Sequence, residues 1–233
     1  MNEDREALER FSGLAKLFPL PNLVLFPNVV QPLHIFEPRY RQLMADALKT
    51  DRLITLVLLQ PGWESDYDAQ PAIYDIACLG RIVADHQLPD GRYNLLLRGI
   101  GRVRLTEELD TGKLYRTCRA QWLMDEPITD TALAVNLRRQ LAELVIPRFS
   151  NSPATRAQLT ELFAGEMGLG DIVDILSFAL PMPIESKQEL LEAINVSERA
   201  RLLMRIIETG QPPQPEPAVV YANRKFPPDF SLN

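Results

Sequence analysis

Hydrophobic and polar positions follow different periods in the two halves of the chain, and this change predicts two kinds of structure. Up to about residue 126, apolar residues occur in short runs or at every second position, which is typical of β-strands. From Asp130 onward they recur every three or four positions, which is typical of amphipathic helices. The pattern therefore predicts a β-rich unit followed by an all-helical unit, with a boundary near Glu126 and Pro127.

The first half is expected to form several short strands and one helix. Five prolines lie within residues 17–40, and because proline removes a ladder donor, residues 23–26 and 29–36 are predicted as short strands near sheet edges or bends. A helix is predicted to follow Glu37-Pro38, where a missing N–H costs nothing. Its apolar stripe comprises Tyr40, Leu43, Met44, Ala47 and Leu48. Further strands are predicted at residues 53–59 and 115–124.

The clearest hairpin joins residues 73–88 to residues 92–109. Asp90-Gly91 lies between the two arms, and this pair supplies the positive φ values that a tight turn requires. In the second arm apolar and polar residues alternate, so one face is predicted to be buried and the other solvated. Gly99 and Gly101 are expected to mark a bulge or the close approach of another backbone. Short strands with one long hairpin and an inserted helix fit a small, distorted barrel.

The second half is predicted to contain helices with identifiable ends. Ser152-Pro153 offers a cap and a first-turn proline for one helix. Residues 171–180 are almost all apolar, so this helix is expected to be the most buried. Ser186 and Glu189 have the spacing of a capping box, and Ser197 is predicted to cap the last helix.

Three ordered segments carry a resemblance to a known family. The first, PLPNLVLFPNVVQPLHIFEPRYRQLMADAL, resembles the opening of the LON domain, the amino-terminal substrate-binding domain of ATP-dependent Lon proteases. The later matches are residues 80–82, 89–91 and 97–102, and then residues 187–192 with Val196 and Arg199. Asn28 stands where the family commonly has glycine, and since asparagine tolerates a left-handed turn, the turn is predicted to be kept.

The resemblance spans residues 14–208 and implies a LON domain standing alone. The implied fold is α+β: a PUA-like distorted β-barrel with an inserted helix, followed by an all-α helical bundle lobe. The predicted divisions are an N-terminal helical extension at 1–13, a LON β-barrel subdomain at 14–126, a LON helical subdomain at 127–210 and a proline-rich tail at 211–233. The tail is predicted to be disordered, with docking on its own domain or on a partner as the alternative.

The charge distribution and the first residues of the chain bear on its partners and its localisation. The net charge of −6 is concentrated in the second half, and nothing forms a basic stripe, so nucleic acid is a disfavoured partner. A membrane partner is also disfavoured. The first residues, MNEDREALERF, lack the basic start and apolar run of a secretory signal, which favours a cytoplasmic protein.

Catalytic motifs are missing from the sequence. It contains no GxxxxGK[ST] phosphate loop, no GxSxG elbow and no HExxH. Cys78 and Cys118 lack metal-ligand spacing, so we expect no metal and no cofactor. His34 lies inside an apolar segment and is interpreted as a structural histidine, and His86 is expected to be solvated. We therefore predict that the chain is not an enzyme.

Five residues stand out as candidate binding groups. Arg98, Arg102 and Arg104 share the polar face of one strand and could grip a carboxylate or phosphate. The alternative is a solvated face paired with neighbouring acids. Arg39 and Tyr40, at the start of the inserted helix, could complete an anion site, or Arg39 could pair with a nearby carboxylate.

Two functional hypotheses follow. The resemblance implies a non-catalytic module that binds unfolded polypeptide or a degradation signal in an apolar groove between barrel and helical lobe, without ATPase or protease domains. A separate protease or chaperone is a possible partner. The alternative is a PUA-like RNA-binding protein that uses the arginine row. The sequence leaves the oligomeric state open.

Overall fold

The computed structural model of the protein describes residues 2–65 and 70–210. These residues form a mixed α+β structure, and their contacts divide them into two compact units that meet in sequence between Leu123 and Met124. The predicted α+β fold class is confirmed. The predicted proline-rich tail, residues 211–233, lies outside the described residues.

The first unit contains a six-stranded sheet with two helices. Its elements are α1 (Asn2–Glu9), β1 (Leu14–Leu20), β2 (Val30–Ile35), α2 (Pro38–Lys49), β3 (Leu53–Leu58), β4 (Ile76–Gln87), β5 (Tyr93–Leu109) and β6 (Thr117–Leu123). The strand order is β2-β5-β4-β3-β1-β6, and β6 also pairs with β5. Because β6 pairs with both β1 and β5, the five strands β5, β4, β3, β1 and β6 form a closed ring. β2 pairs with β5 outside that ring. The result is a closed but irregular sheet rather than a regular barrel.

The predicted inserted helix and buried strand are both present. α2 begins at Pro38 with Glu37 as its N-cap residue, and it buries Tyr40, Leu43 and Met44 as the apolar stripe predicts. All six residues of β3 are buried, as expected for a strand that is covered on both faces.

The structure corrects the strand assignment around residues 14–26. Residues 23–26 are irregular although Val24, Leu25 and Phe26 are buried, so this segment contributes side chains to the core without joining the sheet. The missed strand is β1, which runs parallel to β3. In the sequence, the charged residue Lys16 interrupts the apolar pattern of this strand. Its ammonium is held by Asp51 at 2.7 Å, which allows a charged residue to lie in a strand that is otherwise largely buried.

The predicted hairpin is confirmed as β4 and β5. Gly91 at the turn has φ 81°, the left-handed conformation that favours glycine. Leu79 pairs with Gly101 and Gly80 pairs with Gly99, so Ile100 is the extra residue of a β-bulge. The bulge lies where the two glycines predicted it.

The second unit is helical. Its helices are α3 (Thr131–Val145), α4 (Pro153–Ala164), α5 (Leu169–Ala179), α6 (Ile184–Glu192) and α7 (Val196–Thr209). α5 is largely buried, as predicted, but its polar residues Asp174 and Ser177 are buried too. In the part of the chain that the structure describes, no helix is long and apolar enough to cross a membrane.

Two predicted helix caps in the second unit are wrong. α6 begins at Ile184 after Pro183, so Ser186 lies inside the first turn and forms no capping box. α7 is capped by Asn195, whose side chain accepts hydrogen bonds from the backbone N–H groups of Ser197 and Glu198. Asparagine and serine are both good caps, so the sequence favoured the wrong one of two neighbouring candidates.

Candidate functional site

The first unit contains a pocket of about 520 Å³, which we call the Tyr40 pocket. Its walls come from the end of β1, the start of α2, the residues that follow β3, and the segment that joins β5 to β6. The lining residues are Pro19, Arg39, Tyr40, Leu59, Gln70, Pro71, Glu108, Leu109, Asp110, Thr111, Lys113, Leu114, Tyr115 and Arg116. Seven of these fourteen residues are apolar or aromatic and seven are polar or charged, so the pocket offers both apolar walls and polar groups to a ligand.

Tyr40 forms a fixed wall of this pocket. Its ring packs edge-on against Phe18 with the centroids 4.4 Å apart, and its hydroxyl donates to the carbonyl oxygen of Pro19 at 3.4 Å. The guanidinium of Arg39 lies 4.8 Å from the centre of the same ring, a cation–π distance. Packing on both sides therefore holds the ring in place, and the phenol already has an acceptor.

The cationic side chains of the pocket lining are each engaged by a carboxylate. The pairs are Arg39 with Glu37 at 2.9 Å, Lys113 with Asp46 at 3.0 Å, and Arg116 with Glu108 at 2.6 Å. Arg116 also donates to the carbonyl oxygen of Pro71 at 2.7 Å. A phosphate would have to compete with these carboxylates, so the pocket does not resemble a free cationic site for nucleic acid.

The hydrogen bond between Tyr115 and Asp46 shifts the pKa values of both residues. The Tyr115 hydroxyl donates to Asp46 at 2.9 Å, and burial, reinforced by this hydrogen bond, raises the pKa of Tyr115 above its ordinary value of 10.0. The hydrogen bond from Lys113 lowers the pKa of the Asp46 carboxyl. Asp46 therefore stays ionised, and it anchors the wall of the pocket that Lys113 and Tyr115 form.

The arginine row on β5 does not form one exposed surface. The Nε atom of Arg98 lies 2.9 Å from Asp4 of α1, and Arg104 is exposed. Arg102 is only 2% exposed, so the prediction that it faces solvent is wrong. Arg102 lies inside the sheet rather than at its edge, with Cys78 of β4 and Leu123 of β6 opposite it, and its burial is local, because Arg104 on the same strand face is exposed.

A comparison with protein families decides the class of this chain. The family model described as the ATP-dependent protease La (LON) substrate-binding domain matches residues 15–209. The chain belongs to the LON family. The LON chain is 27% identical over 203 residues to Lon protease of Anaeromyxobacter dehalogenans (strain 2CP-C), covering 85% of this chain and 23% of that protein. It is 28% identical over 195 residues to Lon protease 2 of Myxococcus xanthus, covering 82% and 23%.

Solved structures show the same fold. The LON chain matches the N-terminal domain of Mycobacterium avium complex Lon protease with a TM-score of 0.65 at 13% identity, covering 85% of this chain and 100% of that one. It matches the Lon N-terminal domain protein from Xanthomonas campestris with a TM-score of 0.55 at 23% identity, covering 82% and 97%. The LON chain spans 23% of the length of the two curated relatives named above, so the match concerns one part of those proteins.

The five residues predicted as a binding site do not lie together in the structure. Arg39 and Tyr40 lie together in the Tyr40 pocket, whereas Arg98, Arg102 and Arg104 do not appear in its described lining. The sequence did not single out the segment between β5 and β6, which supplies much of that lining. A signal was present, since the polar turn at residues 110–113 leads directly into Leu114-Tyr115.

His34 of the LON chain has a structural environment, as predicted. Its Nδ1 atom lies 2.6 Å from the side-chain oxygen of Asn94 on the neighbouring strand. Among the described residues, no group of three His, Cys, Asp or Glu residues is placed to hold a metal ion. The features that remain for ligand binding are therefore apolar walls and paired charges.

The pKa of Tyr115 leads to a testable pH dependence. A raised folded-state pKa stabilises the protein fully below the unfolded-state value of about 10, and this stabilisation is lost as pH rises toward the folded-state value. Tyr115→Phe is expected to cost about 1 kcal/mol near pH 8, the worth of one hydrogen bond. The difference should shrink above pH 10, as measured by urea unfolding at a series of pH values. A difference that does not change with pH would contradict the assignment.

Proposed function

We propose that this chain is a non-catalytic recognition module that binds unfolded polypeptide or a degradation signal, and that the Tyr40 pocket receives an apolar side chain of that polypeptide. The observation that carries the proposal is a pocket whose lining is half apolar or aromatic and whose described cations are each paired with a carboxylate. The family description as a substrate-binding domain supports the same class of function.

The physical basis is the match between the pocket and an unfolded chain. An unfolded polypeptide exposes apolar side chains and an uncharged backbone, and burying apolar surface stabilises a complex by about 25 cal/mol per Å². Leu114 lines the pocket and is 64% exposed, so it has surface left to bury. Arg116 and Lys113 add polarity to the lining without leaving an unpaired charge, which suits a ligand without phosphate groups.

We further propose that binding is the whole activity of the chain. A separate protease or chaperone would then have to act on the bound polypeptide. The family model that matches residues 15–209 describes a substrate-binding domain, and this description supports a role in recognition rather than in catalysis.

The proposal is tested by Leu114→Ser in the full chain. Binding to reduced, carboxymethylated α-lactalbumin, a permanently unfolded protein, is expected to weaken about fivefold or more. The reason is that burying much of a leucine side chain contributes on the order of 1–2 kcal/mol. The affinity is measured by fluorescence anisotropy of the labelled unfolded protein. Melting temperatures of the variant and the wild type should be close, because Leu114 is largely exposed.

Val83→Ser is the matched control. Val83 is also an exposed apolar residue, at 37%, but it lies on β4 and is not among the described lining of the Tyr40 pocket. Its replacement should leave the affinity unchanged. Equal loss in both variants would contradict a role for the pocket. Tight binding to RNA that weakens steeply with salt would instead favour the RNA-binding alternative.

A further inference from the structure

α1 is attached to the sheet by one carboxylate that two arginines share. Asp4 Oδ1 accepts a hydrogen bond from Arg81 Nε at 2.8 Å, and Asp4 Oδ2 lies 2.9 Å from Arg98 Nε. Glu3 adds a second contact to Arg81 at 3.1 Å. The Asp4 side chain is only 17% exposed, so these ion pairs are partly shielded from water.

The two arginines need an anion between them. Arg81 of β4 and Arg98 of β5 are directly opposite each other in the sheet register. Like charges at opposed positions of neighbouring strands destabilise a sheet unless something neutralises them. Asp4 supplies that neutralisation, so without α1 the same place would be an anion site with two guanidinium groups.

An apolar area continues the contact along α1. Ala7, Leu8 and Phe11 pack against the core cluster of the sheet. Leu8 comes so close to Gly101 that a Cβ atom on the glycine would lie 3.2 Å from Leu8 Cδ2. Asp4, Ala7 and Leu8 occupy positions i, i+3 and i+4 on one face of α1, and Phe11 follows at i+7, just beyond the end of the helix at Glu9. The surface therefore fits a helix with an acid at one end of an apolar stripe.

α1 depends on this docking for its own structure. It has 8 residues, and isolated helices shorter than about 12–15 residues are marginal in water. Its outward ion pairs, such as Arg5 with Glu9 at 3.0 Å, are exposed and contribute little. α1 precedes residues 15–209, the part that matches the LON family, and Gly13 connects it to β1 with φ 80°. α1 is thus an addition to the matched domain, held in place mainly by its contacts.

We propose that the surface beneath α1, formed by Arg81, Arg98, Ile100 and Gly101, is a second recognition site that α1 occupies as a displaceable ligand. Its external ligand is an acidic amphipathic segment of a partner polypeptide, with a carboxylate followed by apolar residues three, four and seven positions later. Binding of that segment requires α1 to leave. This site is separate from the Tyr40 pocket, whose described lining shares no residue with it.

The test uses the full chain and a fluorescein-labelled synthetic peptide of unrelated sequence that carries this pattern. Asp4→Lys places a cation between two arginines and is expected to release α1. Peptide affinity should then rise about tenfold or more, because the competing helix no longer reduces the available fraction of the site. Adding Arg81→Ala and Arg98→Ala to that variant should abolish the gain. A peptide with lysine in place of its carboxylate should bind neither protein.

Glu6→Lys is the matched control, since it makes the same charge change on an exposed position of α1 and should leave the affinity at the wild-type level. Hydrogen exchange of residues 2–12 reports the release of α1, and Asp4→Asn provides a milder variant. Faster exchange without tighter peptide binding would overturn the site. Unchanged exchange in both Asp4 variants would overturn displacement. Because the Tyr40 pocket is not involved, Leu114→Ser should not alter binding of this peptide.

Discussion

Arg199→Leu is expected to lower the free energy of unfolding by about 3–5 kcal/mol, because it removes the cation that pairs with the buried carboxylate of Asp174 and the partly exposed one of Asp125. The Arg199 side chain is 0% exposed. Its Nε lies 3.2 Å from Asp174, which is itself buried, and its terminal nitrogens contact Asp125. One terminal nitrogen also donates to the carbonyl oxygen of Ala193 at 2.6 Å. The guanidinium therefore joins α5, α7 and the segments that precede α3 and α7.

Arg201→Leu is the matched control on the same helix. Arg201 is exposed, so its replacement should change stability by less than about 0.5 kcal/mol. A double variant, Arg199→Leu with Asp174→Leu, should regain part of the loss, because the buried acid is removed together with its partner. Chemical unfolding followed by circular dichroism gives all three values. Similar losses for Arg199→Leu and Arg201→Leu would show that the buried cluster is not a major source of stability.

This ion cluster marks the limit of what the sequence could predict. Arg199 belongs to a segment that carries the family resemblance, and Asp174 interrupts the apolar run of residues 171–180. Neither observation says which carboxylate meets which cation, because that depends on how α5 and α7 pack. A polar residue that interrupts an otherwise apolar helix is nevertheless a usable signal, since a buried charge requires a partner.

Elements with strong local patterns were predicted well. α2, β3 and the β4–β5 hairpin follow from apolar periodicity, a first-turn proline and an Asp-Gly turn, all of which are local properties. The failures involve choices among similar local signals. Residues 23–26 are as apolar as a strand, yet they join the core without backbone pairing, and Asn195 caps α7 in place of Ser197.

The candidate site was half predictable for a similar reason. Arg39 and Tyr40 belong to the segment that carries the family resemblance, so they were found. Leu114 lies far away in sequence and reaches the Tyr40 pocket only through the fold of the β5–β6 connection. The burial of Arg102 was also beyond the alternating pattern, because Arg104 has the same parity on β5 and is exposed while Arg102 is buried.

Gly99→Ala is expected to destabilise the protein by about 3 kcal/mol or more, at the upper end of the range for overpacking. A Cβ atom on Gly99 would lie 2.1 Å from the backbone oxygen of Phe26. The turn that carries this oxygen is fixed, since the N–H of Asn28 donates to Gly99 O and the N–H of Gly99 donates to Val29 O, both at 2.9 Å. Asn28 has φ 65°, so the predicted left-handed turn is present. Neither backbone can retreat without breaking these bonds.

Gly112→Ala separates this steric effect from the general cost of replacing glycine. Gly112 has φ 66°, and a Cβ atom added to it would meet nothing within 4 Å, so its replacement should cost only about 1–2 kcal/mol of backbone strain. Urea unfolding of the two variants measures the difference. The contact joins the FPN segment of residues 26–28 to the RGIGR segment of residues 98–102, two parts of the family resemblance that are distant in sequence. If Gly99→Ala costs no more than Gly112→Ala, the close approach of the Phe26 backbone is not what requires glycine at position 99.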